Sequence, residues 1–213
     1  MDVTVIPVTA FEQNCSLLRC PLTGRGALVD PGGDPERLRA AVSAAGVELE
    51  RILLTHGHFD HVGAAARLAA EFGVPLEGPH RDDLFLLQTL PQWCRQFGFP
   101  DAEPFVPDRW LGEGDEVRVG EQVLAVRHCP GHTPGHVIFF HAVDRFALVG
   151  DVIFRGSIGR TDFPRGDHAT LLRAIRDQVW TLGDDVRLYP GHGPTTTVGE
   201  ERAHNPFLQG PYG

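Results

Sequence analysis

The sequence predicts a mixed α/β (α+β) fold with helices covering the outer faces of a pair of packed sheets. Three observations carry the expectation. Short apolar, β-branched runs recur along the 213 residues with the pattern of strands. Stretches 34–45, 63–72 and 168–180 place apolar residues on one helical face, as sheet-covering helices do. Four apolar runs, 52–54, 123–126, 146–149 and 186–189, each lead into a loop where a His or Asp sits between glycines or prolines, so these side chains are expected to converge on one edge of the sheets. With 42% hydrophobic residues the chain can bury a full core, and residues 1–213 are expected to form one domain.

In order, 3–8, 14–19 and 26–29 read as strands broken by turn residues such as Thr23-Gly24. Val29-Asp30-Pro31-Gly32-Gly33 then turns into a helix with Asp34 as N-cap, Pro35 at its first position and Gly46 at its end. No GxGxxG pattern or P-loop lysine follows, so the paired glycines read as a plain turn, not a phosphate cradle. Asp30 ends a strand and is placed to orient a ligand histidine from behind.

After Ile52-Leu53-Leu54 comes Thr55-His56-Gly57-His58-Phe59-Asp60-His61, three imidazoles and a carboxylate within seven residues. So many titratable groups side by side repel or desolvate one another, and a divalent cation removes that conflict. In extended chain His56 and His58 point the same way and can share one ion, while a bend after Phe59 aims Asp60 and His61 at a second. Residues 63–72 then form a helix closed by Gly73, and 80–111, interrupted by Pro91, Pro100, Pro104 and Pro107, reads as short helices and loops serving as a lid. Strands resume from Val117 to His128 with a turn at Gly120. Cys129-Pro130-Gly131-His132-Thr133-Pro134-Gly135-His136 is a fixed loop. Strands at 137–140 and 146–149 follow, the latter ending in Gly150-Asp151; Asp167 caps the last amphipathic helix, and 186–189 opens into Pro190-Gly191-His192-Gly193-Pro194.

A net charge of −9 argues against a nucleic-acid partner, and no apolar stretch is long enough to span a membrane. The first residues lack a basic leader, which predicts a soluble cytoplasmic protein. Cys15, Cys20, Cys94 and Cys129 show no CxxC spacing and are expected to be free thiols.

THGHFDH, PGHTPGH, GD and YPGHGP, in this order and spacing, resemble the metallo-β-lactamase superfamily over nearly the whole chain. VTAFEQNCSL, LVDPGGD, GDVIF, GRTDFPRGDH and HNPFLQ are similar to stretches of its short, single-domain bacterial type II glyoxalases. The resemblance implies a four-layer αββα sandwich with two metal ions at one end. Carried over by position, His56, His58 and His132 hold the first ion, Asp60, His61 and His192 the second, and Asp151 bridges both; Asp60 and Asp151 also serve catalysis through a metal-bridging hydroxide. Zn²⁺ is expected, and iron or manganese are compatible with this donor set. The implied reaction is hydrolysis of a small-molecule thioester, the glutathione conjugate S-lactoylglutathione, to D-lactate and glutathione, by a monomer or small homo-oligomer.

Longer relatives carry a C-terminal helical domain whose basic residues bind glutathione, and no such segment follows Gly213. Arg160 is therefore the expected substrate handle, with Phe163 beside it, and His136 the expected support behind the ligands. GRTDF, at 159–163, is also similar to persulfide dioxygenases of the same fold, which use one iron held by two histidines and a carboxylate. A metal-binding module without turnover is the non-catalytic alternative.

Overall fold

A computed structural model describes residues 1–209. The alternation of apolar side chains along the strands fixes how its layers stack. In the first sheet, β1 (Asp2–Val8), β2 (Gln13–Arg19), β3 (Arg25–Val29), β4 (Glu48–Leu53) and β5 (Leu76–Glu77) lie in sequence order, antiparallel through β3 and parallel from β3 to β5. Leu17, Leu28 and Ile52 point outward and meet Leu38 and Val42 of α1 (Pro35–Ala44) and a helix of 65–72. Their neighbours Leu18, Ala27, Val29 and Leu53 point inward, as a period of two requires.

The inward set meets a second sheet. It comprises β6 (Glu116–Val119), β7 (Gln122–His128), β8 (Val137–His141) and β9 (Phe146–Gly150), then β12 (Arg187–Pro190) parallel to β9 and β13 (Thr196–Thr197) at the edge; β10 (Ile153–Phe154) and β11 (Ser157–Ile158) form a separate hairpin. Val119, Val126, Phe139 and Leu148 fill the space between the sheets, while Ile138, Phe140, Ala147 and Leu188 face Leu171, Ile175 and Val179 of the helix that begins at His168. The order is helix, sheet, sheet, helix, the expected αββα sandwich. β3 and β4, and likewise β9 and β12, run parallel in their sheets, so their carboxyl ends bring Asp30, 55–61, Gly150-Asp151 and 190–193 to one edge. Open sheets with parallel strands bind ligands there.

Two local expectations change. The helix read at 63–72 begins at Ala65 as α3 (Ala65–Phe72), and a separate short helix, α2 (Phe59–Val62), precedes it, because the Ala64 N–H donates to Pro31 O instead of continuing the ladder. Asp34 is not a side-chain cap: it is left-handed at φ 47°, and its carboxylate accepts the Thr9 N–H at 2.8 Å. Asp167 does cap α6 (His168–Ala174), accepting the Thr170 N–H at 2.7 Å. Residues 80–111 hold α4 (Leu84–Gln88) and α5 (Leu90–Phe97). The brief β5, β10, β11 and β13, and α7 (Val198–His204), left no periodic signal in sequence. The four cysteines are free and buried, and among the described residues no helix is long and apolar enough to cross a membrane.

Candidate metal centre

The loop after β4 is anchored by Asp30, itself left-handed at φ 53°. Its carboxylate accepts the Thr55 N–H at 2.7 Å and the Thr55 hydroxyl at 2.5 Å, and lies 3.0 Å from His61 Nδ1. Thr55 Oγ in turn lies 3.0 Å from His56 Nδ1. Similar anchors recur: His132 Nδ1 lies 2.7 Å from Arg160 O, and His192 Nδ1 lies 3.2 Å from Phe11 O. An imidazole whose Nδ1 is engaged by a neighbouring oxygen turns Nε2 toward the cluster, so in four rings Nε2 is the nitrogen placed for a cation.

Those nitrogens converge in two clusters. His56 Nε2 and His132 Nε2 stand 3.1 Å and 2.9 Å from His58 Nδ1, near the ~3.3 Å edge of a tetrahedron with metal–nitrogen bonds of about 2.0–2.1 Å. In the second cluster His192 Nε2 lies 3.2 Å from an Asp60 oxygen, and His61 Nε2 lies 3.9 Å from the same oxygen. Asp151 stands between them, Oδ1 being 3.3 Å from His61 Nε2 and Oδ2 3.6 Å from His132 Nε2 and 3.8 Å from His192 Nε2. All seven residues predicted as ligands thus meet at one place.

The electrostatics differ between the clusters. Burial, reinforced by neighbouring histidines, pushes His56 well below the ordinary imidazole range, and burial with His132 holds His58 down to about 3. Burial also lowers His132, against the pull of Asp151. At His61 and His192 burial acts in the same direction but is outweighed: Asp151 and Asp60 raise His61, and the hydrogen bond donated to Asp60 with the charge of Asp151 raises His192. Burial likewise fails to neutralise the carboxylates, because His61 lowers both Asp60 and Asp151.

Do these residues fit a metal pair? His61 Nε2 and Asp151 Oδ1 are buried and face each other at 3.3 Å with no other hydrogen-bond partner, an arrangement that a cation held between them satisfies. The donor set suits Zn²⁺ and equally iron or manganese. Gly191 is required by the crowding: a Cβ there would lie 2.3 Å from Asp151 Oδ1 and 2.5 Å from His61 Cε1. The set fits.

His136, Phe163 and Arg160, the residues expected to support the site, all lie beside the ligand cluster. His136 is fully buried, stacks on His56 at 4.7 Å, and its Nε2 accepts the Asp151 N–H at 3.0 Å. Phe163 packs 4.9 Å from His58. Arg160 lines the cavity, but both its guanidinium contacts, at 2.9 Å and 2.8 Å, go to Asp162.

Others were missed. Asp83 is fully buried and ties the two histidine loops together: its carboxylate accepts the Gly57 N–H at 2.9 Å, the Thr133 hydroxyl at 2.8 Å and the Gly135 N–H at 2.6 Å. It sits in the stretch read as irregular, where an acidic residue before a helix resembles any cap. Asn14 donates to Pro190 O and Gly193 O at 3.0 Å and 2.8 Å, holding the loop of His192. Phe11, Phe59, Trp93 and Phe97 line the cavity above the ligands; the sequence reading assigned the aromatics of 80–111 to packing.

The model of the Metallo-beta-lactamase superfamily matches residues 8–192. The chain is 46% identical to hydroxyacylglutathione hydrolase GloC of Haemophilus influenzae, with 98% of each chain covered. It superposes on a crystal structure of BLEG-1 B3 metallo-beta-lactamase with a TM-score of 0.91 at 34% identity, covering 98% of this chain and all of that one. A crystal structure of TTHA1623 in a di-iron-bound form gives 0.88 at 37% identity, covering 97% of this chain and all of that one. Fold, loop geometry and family match agree, and the chain belongs to the metallo-β-lactamase superfamily.

Proposed function

We propose that this protein is a two-metal thioester hydrolase of the glyoxalase II type, cleaving S-lactoylglutathione to D-lactate and glutathione. The observation that carries the reading is the meeting of seven ligand-type side chains around Asp151, with His61 Nε2 and Asp151 Oδ1 left for a cation. The likeness to a hydroxyacylglutathione hydrolase along 98% of the chain supports the thioester.

His56, His58 and His132 would hold one divalent ion and Asp60, His61 and His192 the other, with Asp151 shared. When bound, such ions supply Lewis acidity that lowers the pKa of water toward neutrality and polarises an acyl oxygen. The chain's own residues do the rest. Asp30, Thr55, Arg160 O and Phe11 O orient the rings, so the ligand set is organised before substrate arrives. Asp60 and Asp151 stay ionised across the neutral range and act as acceptors that orient the attacking water. The ring wall of Phe11, Phe59 and Phe97 keeps bulk water from the acyl carbon. A thiol with an ordinary pKa of about 8.5 departs as thiolate without a protonated side chain to escort it.

The test is metal stoichiometry by elemental analysis, run beside thioester cleavage and oxygen-uptake assays. Two ions per chain and cleavage of S-lactoylglutathione without oxygen consumption are expected. Oxygen uptake on glutathione persulfide with no thioester cleavage would replace this reading with the single-iron dioxygenase.

A further inference from the structure

The cavity of about 330 Å³ above the ligand cluster has two unlike sides. One is a patch of rings drawn from three parts of the chain: Phe11 from the turn before β2, Phe59 from α2, and Trp93 and Phe97 from α5. Phe59 and Phe97 stack at 5.0 Å, Phe11 meets Phe59 edge-on at 5.7 Å, and Trp93 lies 6.1 Å from Phe97. Core packing does not account for the whole patch, since Phe11 and Phe97 are each 42% exposed. Exposed rings gathered at the rim of a reaction cavity mark a surface that a ligand covers.

The other side, Phe154, Arg160 and Phe163, opens to solvent at Arg160. Arg160 is the one arginine or lysine among the described lining residues, and Asp162 already holds its guanidinium, which lies 4.6 Å over Phe163. The side chains of Arg160 and Asp162 are 67% and 68% exposed. A substrate passing on this side therefore meets an arginine that already has a carboxylate partner. A lactoyl group is small and hydroxylated, and it leaves the ring patch uncovered.

We infer that the substrate range extends to thioesters whose acyl group carries an aromatic ring, seated on Phe11, Trp93 and Phe97, with the thiol half leaving past Arg160 on the solvent side. The assignment rests on the thioesterase reading above and widens its acyl range beyond lactoyl. It follows from placing the acyl carbon over Asp60 and Asp151: the apolar half of the substrate then meets the rings, where offset and edge-on contacts add to area burial. An amide-rich thiol meets water and the Arg160–Asp162 pair. The step is hydrolysis: water adds its oxygen to the acyl carbon, the carbon–sulfur bond breaks, and an arylalkanoate and a thiol leave.

The experiment compares S-phenylacetyl- and S-acetyl-N-acetylcysteamine, two thioesters with the same uncharged thiol, on metal-replete protein. The phenylacetyl compound should show at least a tenfold higher kcat/KM. Phe97→Ala should cut that ratio several-fold, and Phe97→Tyr, which keeps a ring, should restore most of it. A second measurement does not need turnover: phenylacetate should quench tryptophan fluorescence saturably in the parent protein and not in Trp93→Phe, because Trp110 and Trp180 lie outside the cavity lining. Equal kcat/KM on both thioesters would overturn the acyl assignment and leave the thioesterase reading standing. Cleavage of neither would overturn the thioesterase reading, and the fluorescence titration would then decide the ring seat, retained quenching upholding it and its absence removing it.

Discussion

The two ligand clusters are built from unlike materials. His56, His58 and His132 are three nitrogens, His56 fully buried, His132 only 3% exposed and His58 partly buried at the cavity wall. Asp60, His61 and His192 mix a carboxylate with two imidazoles and open to solvent through His192, whose side chain is 29% exposed. Burial decides the charge state in the first cluster, and neighbouring carboxylates decide it in the second. The first is a set of neutral ligands waiting for an ion. The second holds protons that an ion must displace. Position along one seven-residue loop therefore separates a preformed site from a proton-linked one, and the proposed bridge, Asp151, joins them.

Removing the bridge erases the distinction, and this is the largest effect expected. Asp151→Ala should lower metal content at both clusters and take thioester cleavage to background, as checked by elemental analysis and rate. A variant that still binds two ions would break the assignment of Asp151 as the shared ligand.

Lowering pH should separate the clusters instead. In the metal-free protein neighbouring carboxylates raise His61 and His192 from the ordinary imidazole value, so each keeps a proton that binding must release; burial lowers His56, His58 and His132, which favours their neutral form. Affinity for the second ion should fall by up to about tenfold per displaced proton per pH unit. Titration from pH 8 to pH 6 with metal analysis should pass through one ion per chain. Loss of both ions together would show that the clusters do not differ in this way.

A smaller effect is expected where the two histidine loops are tied. Asp83→Ala leaves the Gly57 and Gly135 N–H groups and the Thr133 hydroxyl without their acceptor, at a cost on the order of 3 kcal/mol, and loosens both loops of the first cluster. Burial raises Asp83 to about 6, so its three donors are what keep it a useful acceptor near neutrality. Metal affinity should drop about 10–100-fold, the usual penalty for removing an outer support. Asp83→Asn should recover little, because its NH₂ would face a donor. Thermal unfolding and metal competition measure both.

Asp83 also shows where legibility ends. The ligand side chains could be read because glycines and prolines fix each of their loops directly after an apolar strand, and the layer order because residues such as Leu17 and Leu18 alternate faces. Asp83 and Asn14 act on segments 26 to 179 residues away, by hydrogen bonds that leave no periodicity. The ring patch was hidden for the same reason. Phe11, Phe59 and Phe97 are ordinary apolar residues until the fold brings an N-terminal turn against α2 and α5.

The smallest effect belongs to Arg160, and it sharpens the contrast between a buried ligand set and an exposed substrate rim. Read from sequence, Arg160 is a clamp for a glutathione carboxylate. In the structure both of its guanidinium contacts go to Asp162, in full solvent, so a substrate carboxylate must compete with a partner already in place. Its backbone carbonyl does the more demanding work by orienting His132, and that carbonyl survives truncation of the side chain. Arg160→Ala should therefore raise KM for S-lactoylglutathione a few-fold at most, with kcat and metal content near the parent values. Exposed ion pairs contribute little because water and salt screen them. Asp162→Ala, which frees the guanidinium, should move KM for anionic thioesters the opposite way. A large KM increase in Arg160→Ala, with metal content intact, would return the arginine to the role of clamp.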